Sequence, residues 1–442
     1  MRIVRHVLQR VSPVSVPAVL LAASLAAAAA PAPEQVPSKP PVDSPELAFP
    51  GPHAVGVETL KVVDPAQVDP IESTKAGRIV RAPRTLPLTV WYPAKPGGRP
   101  TPYTASLTSE PPRPPAVFHI RAMAVKDAPP DGTGYPLVLL SHGYNNDPAM
   151  LSWLTENLAT KGYVVVGIHH DDPPITDRPP ILAALLRRPL DIAYVLRSLR
   201  GGLLGKLADT TRIALVGYSM GSHGVLTSAG AELDPTSPML EHMSKELVAR
   251  YAAGGSEAAA LRGGDIKAVV AIAPPGGAPW YTWRKGVEKI TTPMLIVAGE
   301  ADRKVGYRDG PLAIFQQALN ADRYLLVFHG AGHNLGVDPV PSEMRARLWD
   351  FDWFADPIWR KDRLNAISVH FITAFLDLNV KGDASRAAYL ETSTEESNEA
   401  KWEGPATPYD AVSEGGKNPA WKGFRRDHQD GLILRHLAAG AR

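Results

Sequence analysis

The chain has 442 residues, of which 44% are hydrophobic and 21% charged, with a formal net charge of +2. That length allows a large core, the composition is that of a folded chain, and the near-zero charge offers no basic footprint for nucleic acid. It contains no cysteine, which excludes disulfides, thiolate metal sites, a cysteine nucleophile and a lipidated N-terminal cysteine.

In chain order, residues 1–30 carry Arg2, Arg5 and Arg10 ahead of an alanine-rich apolar run from Val14 to Ala30, the pattern of a secretory signal peptide. Pro17 and a length barely sufficient to span argue against a membrane anchor. The expectation is therefore export, periplasmic or secreted in a bacterial setting, with no stable anchor after cleavage. Removing this segment takes three of the 47 basic residues and no acid, leaving 44 against 45 and a charge of −1. Residues 31–54 are proline-rich and read as an extended linker.

Two β-rich runs, Val55 to Val63 and Leu86 to Tyr92, predict an antiparallel pair at the edge of a sheet. The prolines from Pro93 to Pro115 predict a long surface loop. Short apolar runs then alternate with helical segments. Strands are predicted at Pro136–Leu140, Val164–Ile168, Ile213–Val216, Ile266–Ala273, Met294–Ala298 and Tyr324–Phe328, the last closing the series. Helices are predicted near Ala149–Lys161, Ile181–Leu199 and Ile367–Leu378. Continuous apolar strands separated by helices specify an α/β fold whose mostly parallel sheet is covered on both faces. Residues 55–380 form this domain. Extra helical sequence at 233–264 reads either as a cap over the site or as a surface insertion. Residues 381–442 are polar and loop-rich, but Trp402, Trp421, Phe424, Leu432, Ile433 and Leu434 predict that they pack back on the domain.

The chemistry concentrates at Gly217-Tyr218-Ser219-Met220-Gly221. This Gly-x-Ser-x-Gly run comes directly after a predicted strand and opens a helix, the context that exposes a serine hydroxyl on a sharp turn. A serine needs a base and a group to orient that base. After the strand ending at Ala298 come Gly299-Glu300-Ala301-Asp302, and after the strand ending at Phe328 come His329-Gly330-Ala331-Gly332-His333. The order Ser219, Asp302, His333 suits acyl transfer, with His333 as base and Asp302 as its orienting acid. His329 reads as a structural histidine and Glu300 as the rival acid. Donors for a developing oxyanion are expected from the backbone amides of Met220 and Tyr144.

The segments Leu140-Ser141-His142-Gly143-Tyr144, Gly217-Tyr218-Ser219-Met220-Gly221, Arg188-Pro189-Leu190-Asp191-Ile192 and Val90-Trp91-Tyr92-Pro93-Ala94, with the run from His370 to Leu378, resemble bacterial platelet-activating-factor acetylhydrolase-like and dienelactone-hydrolase-like serine esterases. The resemblance runs from about Val55 to the end. It implies the α/β-hydrolase fold and a monomeric or weakly oligomeric ester hydrolase without cofactor or metal. Two departures stand beside it. Dienelactone hydrolases proper use a cysteine nucleophile, and Ala271-Ile272-Ala273-Pro274-Pro275 offers no carboxylate where platelet-activating-factor enzymes can place their acid.

His169-His170-Asp171-Asp172 gathers metal-ligating residue types, but neighbours on an extended segment point to opposite sides, so it reads as a strand end bordering the pocket. Tyr144, His170, Trp280, Tyr281 and Trp283 are the candidate substrate-binding side chains. Trp349, Phe351, Trp353, Phe354 and Trp359 read as packing beneath a cap. The leading function is ester hydrolysis on a small or polymeric ester, with short-chain, aromatic and polyester substrates all compatible. Amide or peptide hydrolysis, and noncatalytic binding on the same fold, are the alternatives.

Overall fold

The computed structural model describes residues 40–174, 181–277, 282–401 and 421–442. The predicted signal peptide, together with Trp280, Tyr281 and Trp402, lies outside them. The described residues belong to one compact unit.

Twelve strands are present among them: β1 (Ala54–Val68), β2 (Arg81–Ala94), β3 (Tyr103–Leu107), β4 (Ala116–Ile120), β5 (Val125–Lys126), β6 (Tyr135–Ser141), β7 (Val164–Ile168), β8 (Ala208–Tyr218), β9 (Ala268–Ile272), β10 (Met294–Gly299), β11 (Arg323–Phe328) and β12 (Leu432–Leu437). Ten form one sheet in the order β12-β11-β10-β9-β8-β6-β7-β2-β1-β5. The central strands from β11 to β7 are parallel, whereas β2 and β12 flank them antiparallel. β1 and β2 pair antiparallel, with Val57 opposite Trp91 and Leu60 opposite Leu88.

The central strands are apolar throughout because both faces are covered. Successive side chains point to opposite faces, so Val138, Leu140, Ala214, Val216, Leu295 and Val297 join one core. Leu137, Leu139, Ile213, Leu215, Met294 and Ile296 join the other. Each fully buried aliphatic side chain contributes about 1.5–3 kcal/mol. Helix α1 (Pro70–Ala76) links β1 to β2, and helices α2 (Ser152–Thr160) and α6 (Lys361–Leu376) cover the first face. Helices α3 (Ala184–Arg200) and α4 (Met220–Ser228) cover the second. This is the mostly parallel, doubly covered sheet that the alternating pattern implied, and the α/β-hydrolase fold that the resemblance implied.

Three expectations are corrected. The stretch from Pro93 to Pro115 is not all loop: β3 lies within it and pairs antiparallel with β4 just beyond, Ala105 opposite Phe118. Its short alternating run, rather than the flanking prolines, decides the outcome. The described part of the 31–54 segment is docked rather than a free linker, because Leu47 and Ala48 are buried and Leu47 N donates to His370 Nδ1 at 3.1 Å. The sheet does not end at β11, since β12 from the tail adds an antiparallel edge, Leu432 opposite Phe328.

Segment 233–264 carries helix α5 (Lys245–Tyr251), whose Ser244 side chain accepts from Leu247 N. Leu233, Leu240, Leu247 and Tyr251 pack into the core beneath α3 and α4. Ser244 N donates to Thr74 Oγ1, Glu257 pairs with Arg81 at 3.0 Å, and Gly263 N donates to Ser228 O. Among the described residues its hydrogen bonds reach none of Ser219, Asp302 and His333.

Candidate active site

Ser219 stands at the junction of β8 and α4 with φ 51° and ψ −119°. A side-chain-bearing residue rarely occupies this region, so the conformation is strained and held by its surroundings. The flanking glycines make it feasible. A Cβ on Gly221 would lie 1.9 Å from Ser141 O, and one on Gly217 would lie 2.5 Å from Gly221 O. Ser219 N donates to Ile272 O at 2.8 Å, tying the turn to β9. The side chain keeps partial exposure.

Asp302 comes after β10 and His333 after β11, so the sheet order carries both toward the same end as Ser219. His333 Nδ1 lies 2.7 Å from Asp302 Oδ2, and His333 Nε2 lies 2.9 Å from Ser219 Oγ. With Nδ1–H donating to the carboxylate, Nε2 is left to accept from the serine hydroxyl. Burial raises the Asp302 pKa. The His333 hydrogen bond and charge, with the amides of Val305 and Lys304, outweigh burial and hold it below the usual carboxylate value. The carboxylate therefore stays ionised beside the imidazole.

The rival pair forms elsewhere. His329 Nδ1 lies 3.2 Å from Glu300 Oε2 and its Nε2 lies 3.0 Å from Glu396 Oε2. Burial lowers the His329 pKa, but the bonds to Glu396 and Glu300 prevail and raise it overall.

The His333 loop is braced by residues that no motif marks. The Tyr218 hydroxyl donates to His333 O at 3.3 Å, and its ring lies 5.6 Å from the imidazole. Gly332 N donates to Asp356 Oδ2 at 2.7 Å, Trp153 Nε1 donates to Gly336 O at 3.0 Å, and the Lys361 ammonium donates to Asn334 O. Asn334 Nδ2 donates to Asp352 O and Ala355 O, which ties residues 352–355, just after the Leu348–Phe351 turn of helix, to the His333 loop. There Leu348, Trp349 and Phe351 are exposed. Trp353 lies under the Lys304 ammonium at 5.9 Å. Phe354 is buried against Phe118.

Tyr144 comes after β6, and its hydroxyl donates to Pro173 O at 2.9 Å. Its ring is half-buried against the core beneath α3 and α4. Two of the expected pocket residues do not line an opening. His170 is fully buried, its Nδ1 2.9 Å from Asp191 Oδ2 and its Nε2 2.9 Å from Ser141 Oγ. Trp283 is 1% exposed, stacked on His223 at 4.6 Å, with Nε1 donating to Thr227 Oγ1. In each case a polar partner inside the fold captures the ring, which strand-end position alone could not disclose. Among the described residues no group of three or more His, Asp or Glu side chains is placed to hold a metal ion.

A family model described as PETase: PET hydrolase-like matches residues 129–245. Cutinase est2 of Thermobifida alba is 26% identical over 174 residues, covering 39% of this chain and 44% of that protein. Cutinase 2 of Thermobifida cellulosilytica is 32% identical over 106 residues, 24% of this chain and 38% of that protein. A solved ferulic acid esterase from Streptomyces cinnamoneus superposes with a TM-score of 0.49 at 21% identity, over 77% of this chain and 94% of that one. The chain spans less than half the length of these cutinases. These relatives are PET hydrolase-like proteins and cutinases, and they do not support the finer resemblance of the short segments to platelet-activating-factor acetylhydrolase-like or dienelactone-hydrolase-like esterases. This α/β-hydrolase chain is thus similar to PET hydrolase-like sequences over residues 129–245, the stretch that carries Tyr144, His170 and Ser219, and to cutinases over part of its length.

Proposed function

We propose that the chain is an exported serine carboxylic ester hydrolase acting on short-chain or aromatic esters, including polyesters, through an acyl-enzyme. The observation that carries the reading is the continuous relay from Ser219 Oγ through His333 to Asp302, at 2.9 and 2.7 Å. Ser219 attacks the ester carbonyl as His333 Nε2 takes its proton, and Asp302 stabilises the imidazolium. The amides of Met220, at the start of α4, and Tyr144 receive the oxyanion. His333 returns the proton to the leaving alcohol, and water, activated by the same nitrogen, releases the acid.

The likeness to cutinases and PET hydrolase-like proteins supports an ester rather than an amide, and a polyester among the candidate substrates. The arginine-led, alanine-rich first thirty residues support export. A fluorophosphonate probe should label the native protein and leave Ser219→Ala unlabelled, and p-nitrophenyl acetate turnover should vanish with it. Labelling that survives the substitution overturns the nucleophile. A panel of graded p-nitrophenyl esters, phthalate diesters and polyester film, set against the matching p-nitroanilides, separates the substrate classes. Faster cleavage of the anilides would replace the esterase reading with an amidase.

A further inference from the structure

The network behind the Tyr144 loop contributes no group that reacts in the acyl-transfer steps. Arg188 on α3 is completely buried, and so are Asp191 and His170. Its guanidinium donates through Nη1 to His142 O at 2.7 Å and Ser141 Oγ at 3.3 Å, and through Nη2 to Gly143 O at 3.2 Å and to Asp172. Asp172 also accepts from Asn145 N at 2.9 Å, so it grips the loop on the far side of Tyr144. Asp191 accepts from Arg84 and from His170 Nδ1–H, and His170 Nε2 accepts from the Ser141 hydroxyl. His142 Nε2 accepts from His170 N, which leaves its Nδ1–H to donate to Gly143 O at 2.7 Å. Two arginines thus face two aspartates with neutral histidines between them, and burial holds both of those imidazoles well below their usual pKa.

A buried, paired arginine is weak evidence for stability, since apolar side chains of similar size often serve as well. What an apolar side chain could not do is hold two successive carbonyl oxygens. In a trans peptide the N–H points opposite to the carbonyl bonded to the same nitrogen. With Gly143 O drawn to Arg188 and to His142, the Tyr144 N–H is turned away from both. Asp172, pulling on Asn145 N, prevents the next peptide from rotating. We propose that Arg188, braced by Asp172, is a positioning residue for oxyanion binding: it fixes the His142 and Gly143 carbonyls inward so that the Tyr144 amide is presented to the reacting carbonyl. This rests on the ester-hydrolase reading and gives the His169-His170-Asp171-Asp172 run a place as the support of that loop.

The test compares native protein, Arg188→Met, Arg188→Lys and Asp172→Asn, with p-nitrophenyl acetate kinetics normalised to serines titrated by a fluorophosphonate. Arg188→Met should lose about tenfold to a hundredfold in kcat with KM within about threefold. Its affinity for an aryl trifluoromethyl ketone, which forms an oxyanion on Ser219, should fall by a similar factor, and Arg188→Lys should recover part of both. An unchanged kcat per titrated serine, or a loss confined to KM, overturns the proposal. If Arg188→Met does not fold, Asp172→Asn decides, and a normal kcat and ketone affinity there overturn it. If the native protein labels at Ser219 but hydrolyses no ester, the esterase reading fails by itself. The labelling rate then serves as the measure, and a rate undiminished in Arg188→Met overturns the positioning role. A native protein that neither labels nor hydrolyses overturns both.

Discussion

Two carboxylates compete for the role of orienting acid, and at the scale of single residues geometry separates them by their partners. Asp302 meets His333 at 2.7 Å with its side chain fully buried, whereas Glu300 is half exposed and engages His329 at 3.2 Å. The buried carboxylate has no water to replace its partner, so its loss leaves the imidazole free to take the wrong tautomer. Asp302→Asn should therefore cut kcat for p-nitrophenyl acetate by about ten-thousandfold. Glu300→Gln should leave kcat within about threefold. Steady-state kinetics of the two variants check this, and a crippled Glu300→Gln would reverse the assignment. Both carboxylates come within four residues of the end of β10, so the sequence could name the pair. The sequence reading prefers Asp302, and the fold supplies the distances, with the Asp302 side chain turned inward to His333 and Glu300 turned to His329.

At the scale of elements, the strands that carry the site are local in origin and the sheet's margins are not. β6, β7, β9, β10 and β11 are runs of apolar residues whose burial on both faces is written in their composition. β12 is different: Leu432, Ile433 and Leu434 end a polar tail, and only pairing with β11 makes them a strand. Without it β11, the strand leading to His333, would present an unpaired edge. A chain ending at residue 430 should lose stability by several kcal/mol, from three buried aliphatic side chains at about 1.5–3 kcal/mol each, and should aggregate. Urea unfolding and size-exclusion chromatography read the effect. Equal stability to the full chain would show β12 to be dispensable.

For the whole molecule, the buried titratable groups set how stability varies with pH. Burial first, then Arg188, holds the His223 pKa down to about 3, and burial together with Lys161 does the same for His370. His142 and His170 are depressed in the same sense. Because these folded values lie below the unfolded ones near 6.5, their contribution is present above that pH and is lost as pH falls toward 3. Four carboxyls oppose them, Glu58 and Asp430 by being raised above their usual value through burial and a neighbouring aspartate, Glu156 and Asp338 more strongly. Burial lifts Glu156 and Asp338 to about 7, so their contribution is present below their unfolded values and is lost as pH rises through about 7. The four histidines by themselves leave the unfolded chain binding more protons between about pH 4.5 and 6.5, at about 1.4 kcal/mol per pH unit for each proton, and the raised carboxyls offset part of this. Tm should therefore fall on acidification across that window. His223 identifies one contributor, because among the described residues neither of its ring nitrogens has a hydrogen-bond partner and its ring stacks on Trp283. His223→Phe should keep the stacking, raise stability by about 1 kcal/mol at pH 5, and flatten the acid slope by one proton. A slope unchanged in that variant, measured by calorimetry across pH, would show that His223 does not contribute.

The parallel sheet, the Ser219 turn and the order of Ser219, Asp302 and His333 are legible in the chain alone, because each depends on residues adjacent in it. Apolar runs make strands, glycines make the sharp turn, and a loop directly after a strand keeps its side chains near that strand's end. Partners far apart in sequence fixed the rest. They turned His170 toward Asp191 and Trp283 onto His223, moved the tail into the sheet, and set Arg188 behind the loop of Tyr144. A buried polar side chain takes its meaning from the group that satisfies it, and in this fold those groups arrive from strands and helices tens of residues away.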